Sequence, residues 1–479
     1  MTDPITDRPV PPDGPDAPPA GDDETEAETY ELEESIVERV LDALQAEDKN
    51  AVAALVRDLH YSDTADLLER LHADQRRGVL DAIGDELAPG ILSELDETIR
   101  DEILDYLGPE TVAQVIAELD TDDAVYVIEE MDEADQQQVL DAISEGDRTL
   151  IEESLSYPED SAGRLMQREL MMVPTHWTVG QTIDFMRESA EGDEWVLPEI
   201  FYDIFVVDPK HQPVGMVPLS VLLKSKRQAP VADIMDTEMK LIPVTADQED
   251  VAFLFRQRDL VTAPVVSDSG RLVGAITIDD IVDVIDEEYE EDIMRLGGVH
   301  EDDLYDAAIT TSRSRFSWLL VNLVTAVAAS AVIGLFEGSI EQMVALAVLM
   351  PIVASMGGNA GTQTLTVAVR ALATKELTAT NAMRVIGKEL MVGGVNGVLF
   401  AVLTGLVAWV WFGDMALGLV IATAMIVNMM VAGLAGSSIP LFFARIGIDP
   451  AIASGVFLTT VTDVVGFFAF LGLAALFLL

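Results

Sequence analysis

Two polar features lie inside long apolar segments in the last third of this 479-residue chain. The first is Asp463, in FLTTVTDVVGFF, near the middle of a predicted membrane span. No basic residue lies at a matching depth in any span, and an unpaired carboxylate there costs at least about 2.5 kcal/mol. Asp463 therefore needs water or a cation, unless it is protonated and bonded to a neighbouring helix.

The second feature is the run SMGGNAGTQT, from Ser355 to Thr364, in another apolar segment. Polar or irregular backbone at membrane depth is tolerated only beside protein or water. Close helix packing explains the glycines of this run, but it does not explain the amide and hydroxyl side chains together. We predict that this run lines a pore and offers helix-break carbonyls. The candidate pore ligands are Asp463, Asn359, Thr459, Thr462 and Asn428.

The chemistry of these candidates favours a hard cation. The chain has no cysteine, and the predicted spans have no histidine, so a zinc-like site is disfavoured. Mg²⁺ releases its inner water shell reluctantly and is held by few direct oxygen ligands. One carboxylate per chain among hydroxyl, amide and carbonyl oxygens suits a hydrated Mg²⁺, whereas Ca²⁺ needs more carboxylates. Oxygen chemistry alone does not separate Mg²⁺ from Mn²⁺ or hydrated Co²⁺.

Five apolar segments are long enough to span a bilayer. They cover residues 316–335, 343–369, 390–412, 417–443 and 451–479. The positive-inside rule places the soluble N-terminal domains in the cytoplasm and the C-terminus outside. The basic residues behind this orientation are Arg313, Arg315, Arg370, Lys375, Arg384, Lys388 and Arg445. The expected location is the plasma membrane, with multiple passes.

The charge of the chain is concentrated before the spans. Residues 316–479 contain seven acidic and five basic residues, so the first 315 residues carry about −54 of the total charge of −56. Adaptation to high salt explains most of this charge, because an acidic surface stays hydrated and soluble. Residues 1–33 are rich in Pro, Asp and Glu and are expected to form a disordered acidic tail. Net charge by itself is therefore no sign of metal sensing.

Residues 34–158 contain an apolar pair every 12 residues, from Leu55-Val56 to Val139-Leu140. A third apolar residue follows each pair by three positions, which is typical of a short amphipathic helix. A unit this short cannot bury its own apolar stripe, so the units are expected to stack into a superhelical array. Such an array serves as an interaction surface or as a structural spacer.

The pattern changes to two successive β-α-β-β-α units, predicted over residues 164–225 and 231–287. The second unit, which ends in GRLVGAITIDD, resembles a CBS domain, and the first resembles a more divergent copy. The resemblance implies a candidate adenine-nucleotide site at Thr277 and Asp280, with ATP as the candidate ligand. A connecting helix is predicted over residues 288–312.

Three motifs in the spans complete the picture: GGNAGTQTLTVAVRALAT, IGIDPAIASG and TTVTDVVG. With the order of domains, they resemble the MgtE family of magnesium channels and transporters. The resemblance implies a homodimer whose pore is lined by the second and fifth spans. It also implies a connecting "plug" helix that closes the pore when cytosolic Mg²⁺ bridges it to the acidic domains. The implied sensor residues are Asp247, Glu249, Asp259, Asp280, Asp283, Glu288, Glu291, Asp292 and Asp449. Asp449 is also a candidate helix N-cap, because Pro450 follows it.

The predicted fold class is a multidomain membrane protein. It comprises an α-helical superhelical repeat domain, an α+β CBS-domain pair, a connecting helix and an all-α five-helix transmembrane domain. The predicted function is Mg²⁺ transport gated by cytosolic Mg²⁺, with membrane lipid, Mg²⁺ and a second copy as partners and no nucleic acid. The alternatives are a gradient-coupled carrier of Mn²⁺ or Co²⁺ and a membrane-tethered sensor of Mg²⁺ or nucleotide. An enzyme is not expected, since no P-loop of the GxxxxGK[ST] type occurs.

Overall fold

The structure is a computed structural model that describes residues 32–84, 87–129, 131–191, 198, 200–299 and 308–479. Residues 1–31 of the predicted tail lie outside the described residues, as do 192–197 and 199 of the first CBS copy and 300–307 of the predicted connecting helix. By compactness, the chain divides into two units between Leu95 and Asp96.

The first unit contains five short helices in which next-but-one neighbours pack together: α2 on α4 and α3 on α5. They are α1 (Glu34–Gln45), α2 (Lys49–Arg57), α3 (Tyr61–Arg70), α4 (Ala73–Ile83) and α5 (Ile91–Glu94). The apolar pair Leu67-Leu68 is fully buried in α3, and the pairs of α4 and α5 are buried as well. The 12-residue period therefore marks a buried pair in each of α3, α4 and α5, and Val56 is buried in α2.

The second unit begins with helices of the same kind, in which α7 packs on α9 and α8 on α10. They are α6 (Glu97–Leu107), α7 (Pro109–Ile116), α8 (Thr121–Glu129), α9 (Glu133–Ala142) and α10 (Glu145–Leu155). Each of α6 to α9 again buries its apolar pair, as with Val127 and Ile128 in α8. The mostly helical character predicted for this region is confirmed within each unit.

Two three-stranded sheets follow, and both have the predicted β-α-β-β-α order. The first sheet comprises β1 (Met172–Pro174), β2 (Asp203–Val207) and β3 (Pro213–Pro218), with helices α12 (Val179–Glu191) and α13 (Leu219–Lys224). The second sheet comprises β4 (Ile242–Pro243), β5 (Thr262–Val266) and β6 (Leu272–Thr277), with helices α14 (Gln248–Arg258) and α15 (Ile278–Gly297). A short helix, α11 (Ala162–Leu165), precedes them. In each sheet the first two strands are parallel and the last two antiparallel.

The two CBS-like copies share a core and exchange their entry segments. Phe205 and Val207 of the first sheet pack with Leu272 and Ala275 of the second. The segment entering the first copy pairs with β6 at Gln167, and the segment entering the second pairs with β3 at Asp236. The predicted packing of the copies as a pair is confirmed.

Helix α15 runs on from the second sheet without a break. It begins at a capping box in which Thr277 and Asp280 bond to each other. It ends where Gly298 takes a left-handed conformation, with φ at 72°, which glycine adopts at little cost. Residues 288–297, expected to start a separate connecting helix, are therefore the last turns of the helix that closes the CBS pair.

Among the described residues, five helices are long and apolar enough to cross a membrane. They are α16 (Ala308–Gly334), α18 (Ala345–Ala373), α19 (Ala382–Phe412), α20 (Met415–Arg445) and α21 (Pro450–Phe477), with a short α17 (Glu337–Gln342) after the first. Helix α20 is central, because α18, α19 and α21 all pack on it. Glycines permit the close approach: a Cβ at Gly436 would lie 2.7 Å from the Gly361 carbonyl oxygen, as expected for packing between membrane helices.

One expectation about the second span is wrong. The prediction of helix-break carbonyls fails, because α18 is continuous and carries Pro351 inside it. The polar character of this span therefore lies in its side chains and not in unwound backbone.

Candidate functional site

Helix α18 has an uncovered polar face. Its exposed polar residues follow helical spacing and include Ser355, Asn359, Thr362, Gln363 and Thr366. The Thr362 hydroxyl donates to the Gly358 carbonyl oxygen at 3.0 Å, so its oxygen lone pairs remain available on the exposed side. The opposite side of the same helix is buried, with Gly357 and Gly361 against neighbouring helices. The predicted pore residue Asn359 thus lies on a polar face that none of the described residues covers.

Asp463 lies in the middle of α21, the 28-residue helix that forms the fifth span. Its side chain is partly exposed, and within the described part of the chain it makes neither a hydrogen bond nor an ion pair. Thr459, one turn earlier, is exposed, and its hydroxyl donates to the Gly455 and Val456 carbonyl oxygens at 3.1 Å each. The carboxylate and the Thr459 oxygen are therefore both free to accept hydrogen bonds from a hydrated cation.

Two other predicted pore residues do not lie on an exposed face. Thr462 is buried, and its hydroxyl donates to the Leu458 and Thr459 carbonyl oxygens of its own helix at 3.1 Å. Asn428 is buried on α20, and its Nδ2 donates to the Val353 carbonyl oxygen at 2.8 Å. Sequence spacing did not reveal this, because a residue adjacent to Asp463 points about 100° away around the helix. Asn428 therefore belongs to a contact between helices, and Thr462 is buried and bonded within its own helix.

A second acidic region lies where α14, α15 and the start of α21 meet. Gln248 Nε2 donates to Glu288 at 3.1 Å, which joins the start of α14 to the middle of α15. Arg295 donates to Asp449 Oδ2 at 2.6 Å and is also paired with Glu291. We call this group the junction cluster; its carboxylates are Asp247, Glu249, Glu288, Glu291, Asp292 and Asp449.

The carboxylates of the junction cluster lie close together and are partly buried, and both conditions shift their pKa values. Burial, with Asp449 and Glu288 nearby, raises the pKa of Asp292 to about 6. Burial and then the charge of Glu288 raise the pKa of Glu249. Burial also raises the pKa of Glu288, against the lowering effect of its bond from Gln248. Each of these groups is therefore ionised at a cost at neutral pH, which a nearby cation would reduce.

A second group of carboxylates lies where the start of α15 meets the start of α8. Its members are Asp122, Asp123, Asp279, Asp280 and Asp283. Burial raises the pKa of Asp280 to about 7, with Asp279 and Asp123 adding to the effect and bonds from Thr277 opposing it. Burial, followed by the charges of Asp280 and Asp123, raises the pKa of Asp122 well above its usual range. Asp283 has a raised pKa from burial and from Asp286 and Asp279. Asp122 is thus a candidate that sequence reasoning missed, because every soluble segment is acidic.

Asp259 and Asp449 depart from a simple sensor role. Asp259 ends α14 in a left-handed conformation, with φ at 52°, at the opposite end of the helix from Asp247. The structure therefore separates it from the junction cluster. Asp449 caps α21 by accepting from the Ala451 amide at 2.7 Å, and its other oxygen pairs with Arg295. It is an N-cap and a charge partner at once.

The clusters are not preformed cages. Within the described residues, no three His, Asp or Glu side chains are placed to bind one metal ion directly. Two basic side chains offset part of this negative charge, a role that the sequence did not indicate. Arg295, the one basic residue in α15, pairs with Glu291 and Asp449, and Lys375 pairs with Asp250. The arrangement suits a hydrated cation that bridges carboxylates through its water shell.

The described part of the CBS pair includes a narrow cleft and a wider one. Thr277 lines a cavity of about 10 Å³, and its hydroxyl donates to Asp280 at 2.7 Å. The predicted nucleotide residues therefore bond to each other beside a closed cleft. A second cleft of about 540 Å³ is lined by residues that include Lys240, Arg258 and Pro264.

Comparison with known proteins follows the same division of the chain. The profile of the MgtE divalent cation transporters matches residues 350–473, that of the MgtE intracellular N domain matches 59–160, and that of the CBS domain matches 231–287. The magnesium transporter MgtE of Bacillus subtilis is 32% identical over 325 residues, covering 68% of this chain and 71% of that protein. The magnesium transporter MgtE of Thermus thermophilus is 35% identical over 332 residues, with coverages of 68% and 72%.

Among solved structures, the cytosolic domain of the Mg²⁺ channel MgtE in complex with ATP is 31% identical to this chain, with a TM-score of 0.48. That similarity covers 52% of this chain and 99% of the solved one.

Proposed function

This chain belongs to the MgtE family of divalent cation transporters, and from that premise we propose that it carries Mg²⁺ through a pore built by two copies. It is a multi-pass membrane protein. The observation that carries the proposal is the combination of the uncovered polar face of α18 with Asp463. Neither feature is stable against lipid, and both are explained if they line water.

A second copy is the simplest cover for these surfaces. Hydroxyl and amide groups that face hydrocarbon lose their bonds to water. A twofold axis beside α18 and α21 would enclose the polar faces of both copies, and it would present two Asp463 carboxylates to one hydrated cation. The proposed partner is therefore the same chain, with membrane lipid around it.

The proposed cargo is Mg²⁺, as the names of the curated relatives state for those proteins. Asp463 and the Thr459 hydroxyl oxygen form an oxygen-only surface with few charges. Such a surface can hold an ion through its water shell, which suits Mg²⁺. An alternative cargo is Mn²⁺ or Co²⁺ with a coupled gradient, which the same oxygen atoms would accept.

The junction cluster supports a gate controlled by cytosolic Mg²⁺. It joins α14 and α15 to the start of α21, whose middle carries Asp463. Cations between its carboxylates would favour the compact arrangement, and their loss would let repulsion separate the elements. The proposed result is feedback, in which high cytosolic Mg²⁺ closes the route. It requires the N-terminal domains in the cytoplasm and the C-terminus outside, as the basic flanks favour.

The larger cleft of the CBS pair is the better candidate for a regulatory adenine nucleotide. Its volume of about 540 Å³ falls in the range of small-molecule sites. Lys240 and Arg258 could bind phosphate oxygens, and the carboxylates of Asp236 and Glu238, which also line the cleft, could accept hydrogen bonds from ribose hydroxyls. The cleft beside Thr277 and Asp280 would have to open before it could hold ATP.

The test is Mg²⁺ flux into liposomes that contain the full-length chain. Wild-type protein should give Mg²⁺ entry that follows the electrochemical driving force, whereas a coupled carrier would show a fixed stoichiometry with another ion. Asp463→Ala and Asp463→Asn should both abolish flux. Full flux in both variants would remove the pore assignment, and a tethered sensor without transport would show no flux in any of the proteins.

A further inference from the structure

Asn428 is a fully buried amide in the centre of the membrane domain. It lies on α20, the helix on which α18, α19 and α21 all pack. Its Nδ2 donates to the Val353 carbonyl oxygen of α18 at 2.8 Å. A side-chain hydrogen bond between two membrane helices has a defined direction, which an apolar contact lacks.

Two glycines make room for this amide on two different helices. A Cβ at Gly357 of α18 would overlap the Asn428 amide. A Cβ at Gly466 of α21 would lie 2.8 Å from Asn428 Nδ2, closer than real Cβ contacts allow. One side chain therefore fits between the second and fifth spans, and it contacts α21 one turn after Asp463.

The buried amide of Asn428 has an energetic cost. Asn428 Oδ1 is buried and accepts no hydrogen bond from the described residues, and a buried acceptor without a donor is destabilising. An apolar side chain at this position would avoid that cost, because it has no polar atom to leave unpaired. An amide at this position points to a requirement that goes beyond filling space.

The direction of the hydrogen bond fixes the rotation of α18. At 100° per residue, Ser355, Asn359 and Thr362 lie about 180–240° around the helix from Val353. Holding the Val353 carbonyl against α20 therefore turns the polar face away from the helix bundle. The contact with Gly466 sets how closely the turn of α21 that bears Asp463 can approach.

We propose that Asn428 is a positioning residue for ion selection. It sets the rotation of α18 and its spacing from α21, so that the polar face and Asp463 take a fixed mutual position, and it does not itself contact the ion. This inference rests on the proposed transport function and adds the element that sets the geometry of the site.

The first test compares Mg²⁺ and Mn²⁺ flux in liposomes for wild type, Asn428→Leu and Asn428→Asp. Leu keeps the branching, with greater bulk, and removes the bond, whereas Asp keeps the size and shape but places an acceptor against the Val353 carbonyl. Both should change the Mg²⁺ to Mn²⁺ flux ratio by about threefold to tenfold, the range of one interhelical hydrogen bond. Ser437→Ala is the control, because Ser437 is buried on the same helix and donates only to carbonyls of α20. It should leave the ratio unchanged.

The second test uses the contact between Asn428 and Gly466. It tests the positioning role of Asn428 even if Asn428→Leu fails to fold. Gly466→Ala should lower flux, because its Cβ displaces the amide. Adding Asn428→Ser, which removes that clash, should recover part of the flux but not the wild-type Mg²⁺ to Mn²⁺ ratio, because the bond to Val353 is lost. An unchanged flux ratio in folded Asn428→Leu and Asn428→Asp, or no recovery in the double variant, would overturn the proposal. Retained flux in Asp463→Asn would instead indicate that the pore assignment has failed.

Discussion

Asp463 and the carboxylates of the junction cluster differ in how much the sequence alone reveals about their importance. Asp463 stands alone in an apolar helix, so its position in the sequence is enough to single it out. Asp292 is one of many acidic residues in the soluble part, and only its neighbours Asp449 and Glu288 distinguish it. In hydrocarbon a charge is informative because it is rare, whereas in an acidic soluble domain it becomes informative only through crowding.

The largest effect should come from neutralising the isolated charge. Asp463→Asn should lower Mg²⁺ flux by about hundredfold or more, since the amide has no charge to attract the cation in a site of low dielectric constant. The matched control is Asp414→Asn: Asp414 lies at the end of a span and caps α20 by accepting from the Ala416 amide at 2.8 Å. Asn caps helices equally well, so this variant should keep its flux. Equal losses in liposome flux assays would show that the depth of the charge is irrelevant.

The crowded carboxylates before the spans should make the stability of the protein depend on pH. Asp280 and Asp292 have pKa values raised to about 7 and about 6, so between about pH 4 and pH 7 the folded protein binds more protons than the unfolded chain. Without Mg²⁺, the stability of the part that precedes the spans should therefore fall as pH rises through this window and level off above it. The fall should be several degrees in Tm, since 1 kcal/mol shifts Tm by roughly 2–4 °C at this size.

The measurement is the Tm of the full-length chain in detergent, from pH 4.5 to 8, with and without Mg²⁺. Mg²⁺ should raise the Tm most at pH 7–8, where the carboxylates are ionised, and least near pH 5. Asp280→Asn with Asp292→Asn should flatten the profile. A Tm that rises with pH in the absence of Mg²⁺ would contradict the assignment of raised pKa values.

A smaller effect is expected at the basic residue that neutralises the junction cluster. Arg295→Gln removes the partner of both Glu291 and Asp449, so repulsion should disfavour the closed arrangement. Flux at a cytosolic Mg²⁺ concentration that half closes the wild type should rise by about fivefold, the lower end of typical coupling between sites. Arg256→Gln is the control, because Arg256 is exposed on α14 and lies over the Phe253 ring at 5.7 Å. An equal rise in both variants would indicate a general effect of net charge.

The smallest effect should follow from an exposed contact between the CBS pair and the membrane domain. Lys375, between the second and third spans, pairs with Asp250 of α14 and lies 4.7 Å from the centre of the Phe253 ring. Exposed pairs contribute about 0–1 kcal/mol, so Lys375→Met should shift the Mg²⁺ concentration for half closure by less than about fivefold. Asp250→Asn should act alike, and the double variant should add nothing further. A larger shift would make this pair, and not the junction cluster, the main link to the gate.

Much of the architecture follows from local patterns. The 12-residue apolar period predicts the buried pairs of the short helices, and Leu67 and Val127 are fully buried. The CBS order and the five spans follow from alternating and continuous apolar runs, because burial repeats with the period of the element that is buried. Asp463 could also be identified from the sequence, since an ionisable group in an apolar run needs no knowledge of its neighbours to be unusual.

Other assignments depended on contacts between distant residues. Arg295 and Asp449 are 154 positions apart, and no local pattern indicates that they meet. The sequence placed Asn428 and Thr462 among the pore ligands, but the direction in which each points is set by the packing of α18, α20 and α21. The sequence specifies which residues are polar. Which surface each of them faces depends on how helices that are far apart in sequence pack together.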